Sequence, residues 1–197
     1  MGVFAFHKYC LLCLIFLSAL IVTGCLGGEP LWASDEGRGD KIFWARVVRV
    51  QDGDTLTVVR KNLDLITVRL YGIDAPENGQ AFGRQAARKL SALANKKIVL
   101  VEEVQKRDRY GRLVGIVKFE GRDLASEMLE SGLAWVTPRY CTRKENCGGY
   151  WAGVHQARKS GLGLWRQPDQ IPPWEWRKAA KPGPAAEPAA FKGSKID

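Results

Sequence analysis

Four acidic side chains lie at the ends of two short, β-branched apolar runs between residues 50 and 77. Asp52 and Asp54 precede the first run, whereas Asp74 and Glu77 follow the second. If the two runs pair as a β-hairpin, these carboxylates come together at one end of it. Two carboxylates about 5 Å apart repel by roughly 3 kcal/mol at an effective dielectric near 20. Such a cluster predicts a compensating cation, and a hard, oxygen-bound metal ion is the natural candidate.

The same residues also have a purely structural interpretation. An Asp-Gly-Asp segment at 52–54 is ordinary turn chemistry, and an Asp-Ala-Pro-Glu segment at 74–77 is an ordinary entry into a helix. A single arginine on a strand, such as Arg69, or in a hairpin loop, such as Arg112, is often only a surface charge. Residue types alone therefore leave the structural and the chemical interpretation both open.

Three motifs, taken in order, resemble the signature of the staphylococcal nuclease (thermonuclease) family. They read Asp-Gly-Asp-Thr at 52–55, Arg-Leu-Tyr-Gly-Ile-Asp-Ala-Pro-Glu at 69–77 and Asp-Arg-Tyr-Gly-Arg at 108–112, and the similarity extends over residues 44–167. The resemblance implies a barrel of the oligonucleotide-binding type and calcium-dependent hydrolysis of phosphodiester bonds in DNA and RNA. It leaves the endonuclease or exonuclease mode open.

The resemblance also implies roles around the acidic cluster. Asp54 and Asp74 correspond to calcium ligands, and the backbone carbonyl of Ala75 corresponds to a third ligand. Asp52 corresponds to a residue that holds these ligands in position without binding the ion itself. Glu77 corresponds to the family's proposed general base, which orients or deprotonates the attacking water. The family's prototype has threonine at the position of Ala75, a change of little consequence where only the carbonyl is used.

By the same resemblance, Arg69 and Arg112 correspond to the family's two catalytic arginines. Their planar forks can bind phosphate oxygens in a bidentate manner, which lysine cannot do. Arg109 and Tyr110 correspond to positions that contact the terminal phosphate. Tyr140 aligns with one of the two aromatic residues that line the prototype's nucleotide pocket, and a proline replaces the other, so the preferred substrate stays open.

Residues 1–24 are predicted to be a lipoprotein signal peptide. An apolar stretch ends in Val-Thr-Gly-Cys, which resembles a bacterial lipobox and makes Cys25 the expected lipid-bearing first residue. Residues 25–40, rich in glycine and charge, are then a flexible tether. The alternative is an uncleaved anchor, because residues 9–28 carry no charge and are about long enough to span a bilayer. Both interpretations place the domain outside the cytoplasm, attached to a membrane.

The chain contains 5 cysteines. Once the two in the signal segment and the lipidated Cys25 are set aside, Cys141 and Cys147 remain as a pair. In an oxidising compartment this pair predicts a disulfide that closes a short loop and stabilises the fold by about 2 kcal/mol. The alternative is a zinc site that also uses His155, but three irregularly spaced ligands do not match the usual structural zinc pattern.

Alternating apolar residues predict an α+β domain over residues 41–167. A first helix is expected after Asn78 as N-cap, a second from Asp123 to Gly132, and a third over residues 150–160. Apolar positions of the first helix recur at Phe82, Ala86, Leu90 and Leu93. The order of elements suits a five-stranded barrel of the oligonucleotide-binding type packed by about three helices. Its strands are predicted at residues 42–50, 55–60, 66–71, 98–104 and 113–119.

The last part of the chain differs in composition. Residues 168–177 form a segment rich in proline and tryptophan, which we expect to be extended with the indoles of Trp174 and Trp176 on the domain surface. The alternative is that these indoles stack on nucleic-acid bases. Residues 178–197, rich in alanine and proline, are predicted to be disordered.

The formal net charge of +9 and the pI near 9.5 favour a polyanionic partner, either nucleic acid or an anionic membrane. Two functions remain: a nuclease acting on DNA and RNA outside the cytoplasm, and a non-catalytic nucleic-acid-binding module of the same fold. The retained acids and arginines favour the nuclease. No feature indicates a protein partner, so we expect a monomer held at the membrane by the lipid on Cys25.

Overall fold

Five strands of the protein close into a barrel. The structure is a computed structural model and describes residues 41–179. Its helices are α1 (Gly83–Ala94), α2 (Leu124–Glu130), α3 (Lys144–Lys159) and α4 (Pro173–Ala179), with a 3₁₀ helix at Gly163–Arg166. Its strands are β1 (Ile42–Val50), β2 (Thr55–Val59), β3 (Leu65–Leu70), β4 (Ile73–Asp74), β5 (Ile98–Gln105), β6 (Leu113–Phe119), β7 (Arg122–Asp123) and β8 (Trp135–Val136).

The barrel is a mostly antiparallel sheet closed by one parallel seam. Its neighbouring strands follow the order β3-β2-β1-β5-β6, and the seam joins β3 to β6. Arg69 on β3 therefore lies opposite Thr55 of β2 on one side and Val114 of β6 on the other. With ladders on both sides, the backbone of Arg69 has little freedom. The predicted α+β fold with a five-stranded barrel is confirmed.

Strand periodicity places the core inside the barrel. On β3, Ile66, Val68 and Leu70 are buried, and β1 contributes inward side chains in the same alternating manner. Helix α1 covers one end of the barrel with Ala86 and Leu90. The alternation of period two that predicted the strands thus also determines which side chains form the core.

Helix α2 begins and ends where the sequence predicts. The Asp123 carboxylate accepts a hydrogen bond of 2.9 Å from the amide of Ala125, and Gly132 follows the helix with a φ of 67°. Asp123 also accepts a 2.6 Å hydrogen bond from the hydroxyl of Tyr150 on α3. Burial raises the pKa of the Asp123 carboxyl. One carboxylate therefore caps α2 and links it to α3.

The predicted N-cap of α1 is wrong. The helix starts at Gly83, after Phe82 in a left-handed conformation with a φ of 65°, and no side chain caps it. The Asn78 side chain instead donates to the carbonyl of Gln51. The intervening residues form tight turns, with the amide of Gly83 donating to Gln80, and these turns delay the helix.

Helix α3 begins several residues before the predicted residue 150. Its N-cap, Arg143, has no capping side chain of its own. The hydroxyl of Tyr71 instead fixes the backbone just before the helix, by accepting hydrogen bonds from the amides of Thr142 and Arg143 at 2.7 and 2.8 Å. This anchor comes from a residue 71 positions earlier in the chain, so a local pattern could not reveal it.

Cys141 and Cys147 form a disulfide, with their Cα atoms 5.7 Å apart. The bond ties the first turn of α3 to the segment that precedes it. Because both thiols are used, neither can bind zinc together with His155. In residues 41–179 no three or more histidine, cysteine or acidic side chains are arranged to hold a metal ion by themselves, so a cation site there would have to combine fewer side chains with backbone oxygens.

From Pro173 onward, the proline- and tryptophan-rich segment is helical rather than extended. Pro173 opens α4, a position that its fixed φ favours, and is buried. The ring of Trp174 packs edge-on against Trp135, with centroids 6.5 Å apart, whereas Trp176 is 37% exposed. The described part of the chain therefore has four α-helices, and the expected surface packing holds for Trp174 alone.

The signal segment, Cys25, the tether and residues 180–197 lie outside the described residues. Within residues 41–179, no helix combines the length and apolar character needed to cross a membrane.

Asp123→Ala should destabilise the protein more than Asp123→Asn. Alanine removes the cap of α2, at a cost of about 0.5–2 kcal/mol, and leaves the buried Tyr150 hydroxyl without its acceptor, at about 1–3 kcal/mol. Asparagine keeps one acceptor oxygen, which can still accept from the Ala125 amide or the Tyr150 hydroxyl. Urea unfolding of both variants measures the difference. Equal losses in the two variants would contradict the double role of Asp123.

Candidate functional site

The residues implied by the resemblance all line one cleft of about 560 Å³ beside the β3–β6 seam. The larger cleft of about 680 Å³ is lined by tryptophans and contains none of them. The seam explains the grouping, because it brings the loop before β6 next to the end of β3. The residues that meet there are Asp52, Asp54, Arg69, Asp74, Ala75, Glu77, Arg109, Tyr110, Arg112 and Tyr140.

The Asp-Gly-Asp loop is held by close packing. A Cβ atom at Gly53 would lie 2.5 Å from the Cβ of Ala86 on α1 and 2.7 Å from the Cβ of Ala75. Only glycine therefore lets this loop lie against both the helix and the segment after β4. Within the loop, the Asp52 carboxylate accepts a 3.0 Å hydrogen bond from the amide of Asp54.

Asp54 is the buried centre of the acidic cluster. Its carboxylate accepts hydrogen bonds from the Thr55 hydroxyl at 2.7 Å and from the amide of Ala75 at 2.9 Å. Burial raises the pKa of Asp54 to about 7; Arg69 opposes this, and the neighbouring carboxylates of Asp52 and Asp74 add to it. A buried carboxyl whose pKa is shifted this far is typical of a functional position.

Arg69 bridges the two buried acids. One terminal nitrogen donates to Asp54 at 2.7 Å, and the other to Asp74 at 2.8 Å and to the carbonyl of Ile73 at 3.3 Å. Burial lowers the pKa of Arg69, but the carboxylates of Asp54 and Asp74 outweigh this and hold it above its usual value. The β2–β3 hairpin thus brings the acids together as predicted, with a guanidinium between them.

A second arginine, which the motifs did not reveal, contacts Asp74 and Glu77. Arg177 on α4 donates to Asp74 at 2.6 and 3.2 Å and to Glu77 at 2.6 Å. Hydrogen bonds from Arg177 to Asp74 raise the pKa of this arginine above its usual value. Arg177 lies 103 residues from Asp74 in the chain, outside every recognised motif. Its contact with the acids is therefore visible only once α4 is seen packed beside the cleft.

The donor groups of the cluster suit a hard cation. All four acids of the cluster present carboxylate oxygens, and calcium prefers oxygen ligands. These acids are Asp52, Asp54, Asp74 and Glu77. The contacting guanidinium groups of Arg69 and Arg177 leave a formal charge of −2 on these four acids. Arg177 already presents a cation to two of the four.

Arg112 is held differently from Arg69. Its Nε and Nη2 donate to one oxygen of Asp108 at 2.9 and 2.7 Å, while the other oxygen accepts from the amides of Tyr110 and Arg112. Although partial burial raises the pKa of Asp108, the hydrogen bonds from Arg112 and Tyr110 outweigh it and lower the pKa. Asp108 therefore organises the whole loop and aims Arg112 at the cleft.

Exposed aromatic rings stand at the mouth of the cleft. Tyr110 is 67% exposed, with the guanidinium groups of Arg109 and Arg112 at 4.8 and 5.1 Å from its ring centre. Tyr140 is 55% exposed on another wall of the cleft. Such rings can stack on bases, while the arginines contact phosphates.

The fold and the cleft define an α+β barrel of the oligonucleotide-binding type with paired carboxylates and arginines. The family model described as staphylococcal nuclease homologue matches residues 67–167. The chain is 38% identical over 161 residues to a micrococcal nuclease of Shigella flexneri, covering 77% of this chain and 86% of that protein. It is 36% identical to an uncharacterized endonuclease of Haemophilus influenzae, covering 76% and 81% of the two chains. The chain belongs to the staphylococcal nuclease homologue family.

Gly53→Ala should destabilise the protein and displace the acidic loop. The added methyl group would approach two Cβ atoms at under 3 Å, and overpacking of this kind costs about 1–3 kcal/mol. Gly79→Ala is the matched control, because a Cβ there meets nothing within 4 Å. Urea unfolding compares the two variants. A loss in Gly53→Ala no larger than in the control would show that the loop is not held by this packing.

Proposed function

We propose that the protein is a nuclease that hydrolyses phosphodiester bonds in DNA and RNA without strong sequence specificity, using Ca²⁺, outside the cytoplasm. The observation that carries the proposal is the meeting of Asp54, Asp74 and Glu77 with Arg69 and Arg112 in one cleft. The relatives named as nuclease and endonuclease support the same reaction.

The two arginines are suited to bind a phosphodiester. Arg69 projects from a strand with ladders on both sides, and Arg112 from a loop organised by Asp108. Guanidinium forks placed this firmly can stabilise the negative charge that develops on phosphate oxygens during hydrolysis. Contacts to phosphate carry no sequence information, which supports action on many sequences.

Glu77 is suited to position the attacking water. Its side chain is 39% exposed at the edge of the cleft, unlike that of Asp74, which is 2% exposed. A carboxylate that water can reach can orient a water molecule or accept its proton. The deeper acids, Asp54 and Asp74, are better placed to bind a cation.

The carboxylates of Asp54 and Asp74, with the carbonyl of Ala75, would hold the calcium ion, and Asp52 would support Asp54 through its amide. A bound divalent ion would supply Lewis-acid stabilisation of charge on the phosphoryl oxygens. The uncompensated charge of the acidic cluster and its all-oxygen donor set support this assignment.

The proposed location rests on the lipobox-like sequence that ends at Cys25. A lipid on Cys25 would tether a monomeric domain to the membrane outside the cytoplasm, with residues 25–40 as the tether. The disulfide between Cys141 and Cys147 supports an oxidising compartment, because such bonds rarely persist in a reducing cytosol.

Calcium should raise the melting temperature of the protein, because a ligand that binds only the native state stabilises it by mass action, by roughly 2.7 kcal/mol at 100 times its Kd. Asp54→Asn, which keeps the size of the side chain but removes its charge, should abolish most of this shift. Asp169→Asn, at an exposed position, is the control. A full calcium shift in Asp54→Asn, measured by differential scanning fluorimetry, would place the ion elsewhere.

Glu77→Gln should lower the rate of DNA cleavage by about 10² to 10⁴, the usual contribution of a general base, while oligonucleotide binding is largely retained.

Arg112→Lys should also lower the rate of cleavage, because an ammonium group cannot reproduce the planar fork of a guanidinium group. Exposed Glu145→Gln and Arg84→Lys provide matched controls. Single-turnover cleavage and binding of an uncleavable oligonucleotide separate chemistry from affinity.

Two results would overturn these assignments. Cleavage by Glu77→Gln at the wild-type rate would remove that residue from the chemistry. Binding of DNA and RNA without cleavage by the wild type, in the presence of calcium, would favour the non-catalytic binding module.

A further inference from the structure

Arg177 donates three hydrogen bonds to two residues of the acidic cluster, Asp74 and Glu77. Its Nη2 lies 2.6 Å from one oxygen of Asp74, and its Nη1 lies 3.2 Å from the other oxygen and 2.6 Å from Glu77. A single planar group thus bridges two acids with charge-assisted hydrogen bonds.

These contacts occupy the oxygens that the proposed reaction requires. Both oxygens of Asp74 accept from Arg177, and one of them accepts from Arg69 as well, so a divalent ion would meet oxygens that are already engaged. One oxygen of Glu77 also accepts from Arg177, which places a guanidinium group where a water molecule would be oriented. The arrangement with Arg177 in place is therefore a closed form of the site.

The segment that carries Arg177 is held by packing at its start, whereas its end contacts the cleft through the ion pairs of Arg177. Gln80 donates to the carbonyl of Ile171, Pro173 is buried, and Trp174 packs on Trp135. Beyond these anchors, α4 spans only 7 residues, and so short a helix is marginal on its own. The side chain of Arg177 is 44% exposed. Its last turn can therefore separate from the cleft while the anchors stay in place.

We propose that Arg177 is an internal counter-ion that closes the site by bridging Asp74 and Glu77, and that the end of α4 leaves when a divalent cation binds. The inference rests on the proposed function, because it regulates that same site. Arg177 and the cation compete for Asp74, so each weakens the apparent binding of the other.

The competition has a measurable consequence. A site that is open for only part of the time has an apparent Kd raised by the inverse of that fraction. Arg177 is itself partly exposed and forms one ion pair with the partly exposed Glu77 and one with the buried Asp74. Two such pairs correspond to a change in calcium affinity of about 3- to 30-fold. Removing Arg177 should tighten calcium binding by that factor.

The first experiment is isothermal titration of the full-length protein in detergent with CaCl₂. Arg177→Ala should bind calcium about 3- to 30-fold more tightly than the wild type. Lys178→Ala is the matched control, since it removes the same charge one residue further along, from a side chain that pairs with Glu175 instead. An equal gain in both variants would indicate a general field effect and overturn the specific contact. No gain in Arg177→Ala would overturn it as well.

The second experiment follows the helix itself by hydrogen exchange of the wild type. Calcium should speed exchange in the last turn of α4 while exchange near Trp135 stays unchanged. Slower or unchanged exchange in that turn would show that the end of α4 does not leave. This readout does not depend on catalysis.

Cleavage assays distinguish this inference from the proposed function. Arg177→Ala should reach half-maximal cleavage at a lower calcium concentration, with the rate at saturating calcium unchanged. A lower rate at saturating calcium would identify Arg177 as a substrate-binding group and overturn its role as a closing contact. If no variant cleaves nucleic acid but the shifts in calcium affinity and exchange persist, the nuclease proposal fails and the closing contact stands.

Discussion

The bridge from Arg69 to Asp54 and Asp74 is the interaction on which the cleft depends. It joins a barrel strand to the loop before β2 and to β4, within a buried environment where unpaired charges are costly. Removing Arg69 would take away the guanidinium group that both buried acids share, and breaking a buried ion pair in this way is costly. The barrel provides the rigidity that the bridge needs, because β3 is hydrogen-bonded on both sides. Packing at Gly53 then determines where Asp54 enters the bridge.

Much of this arrangement could be predicted from sequence, for physical reasons. Strand limits followed from the alternation of buried and exposed residues, and α2 followed from Asp123 and Gly132, which act within a few residues of themselves. The acidic cluster followed from a hairpin, which is also local. The starts of two helices were mispredicted. The segment just before α3 is held by the hydroxyl of the distant Tyr71, which no local pattern reveals. Helix α1 is delayed by local turns through Gln80, which the spacing of its apolar residues does not show.

The charged side chains around the acids also divide into one that the sequence could predict and one that it could not. Carboxylate repulsion correctly predicted a positive partner, yet the partners in the structure are guanidinium groups. Arg69 could be recognised because it belongs to a motif. Arg177 could not, because its segment carries no motif and its composition favoured an extended chain over a helix. Its place depends on Trp174 meeting Trp135, a contact between residues that no local pattern connects.

The parallel seam between β3 and β6 also affects how the protein folds. The seam pairs Val68 with Leu113 and Leu70 with Gly115, residues far apart in the chain, and such non-local pairings form slowly. The first three strands can form early as a local meander, but they present only the acids and Arg69. Arg112 joins them when the seam closes. A chain in which this seam has not formed therefore has half a cleft, because only the seam brings Arg112 to the acids.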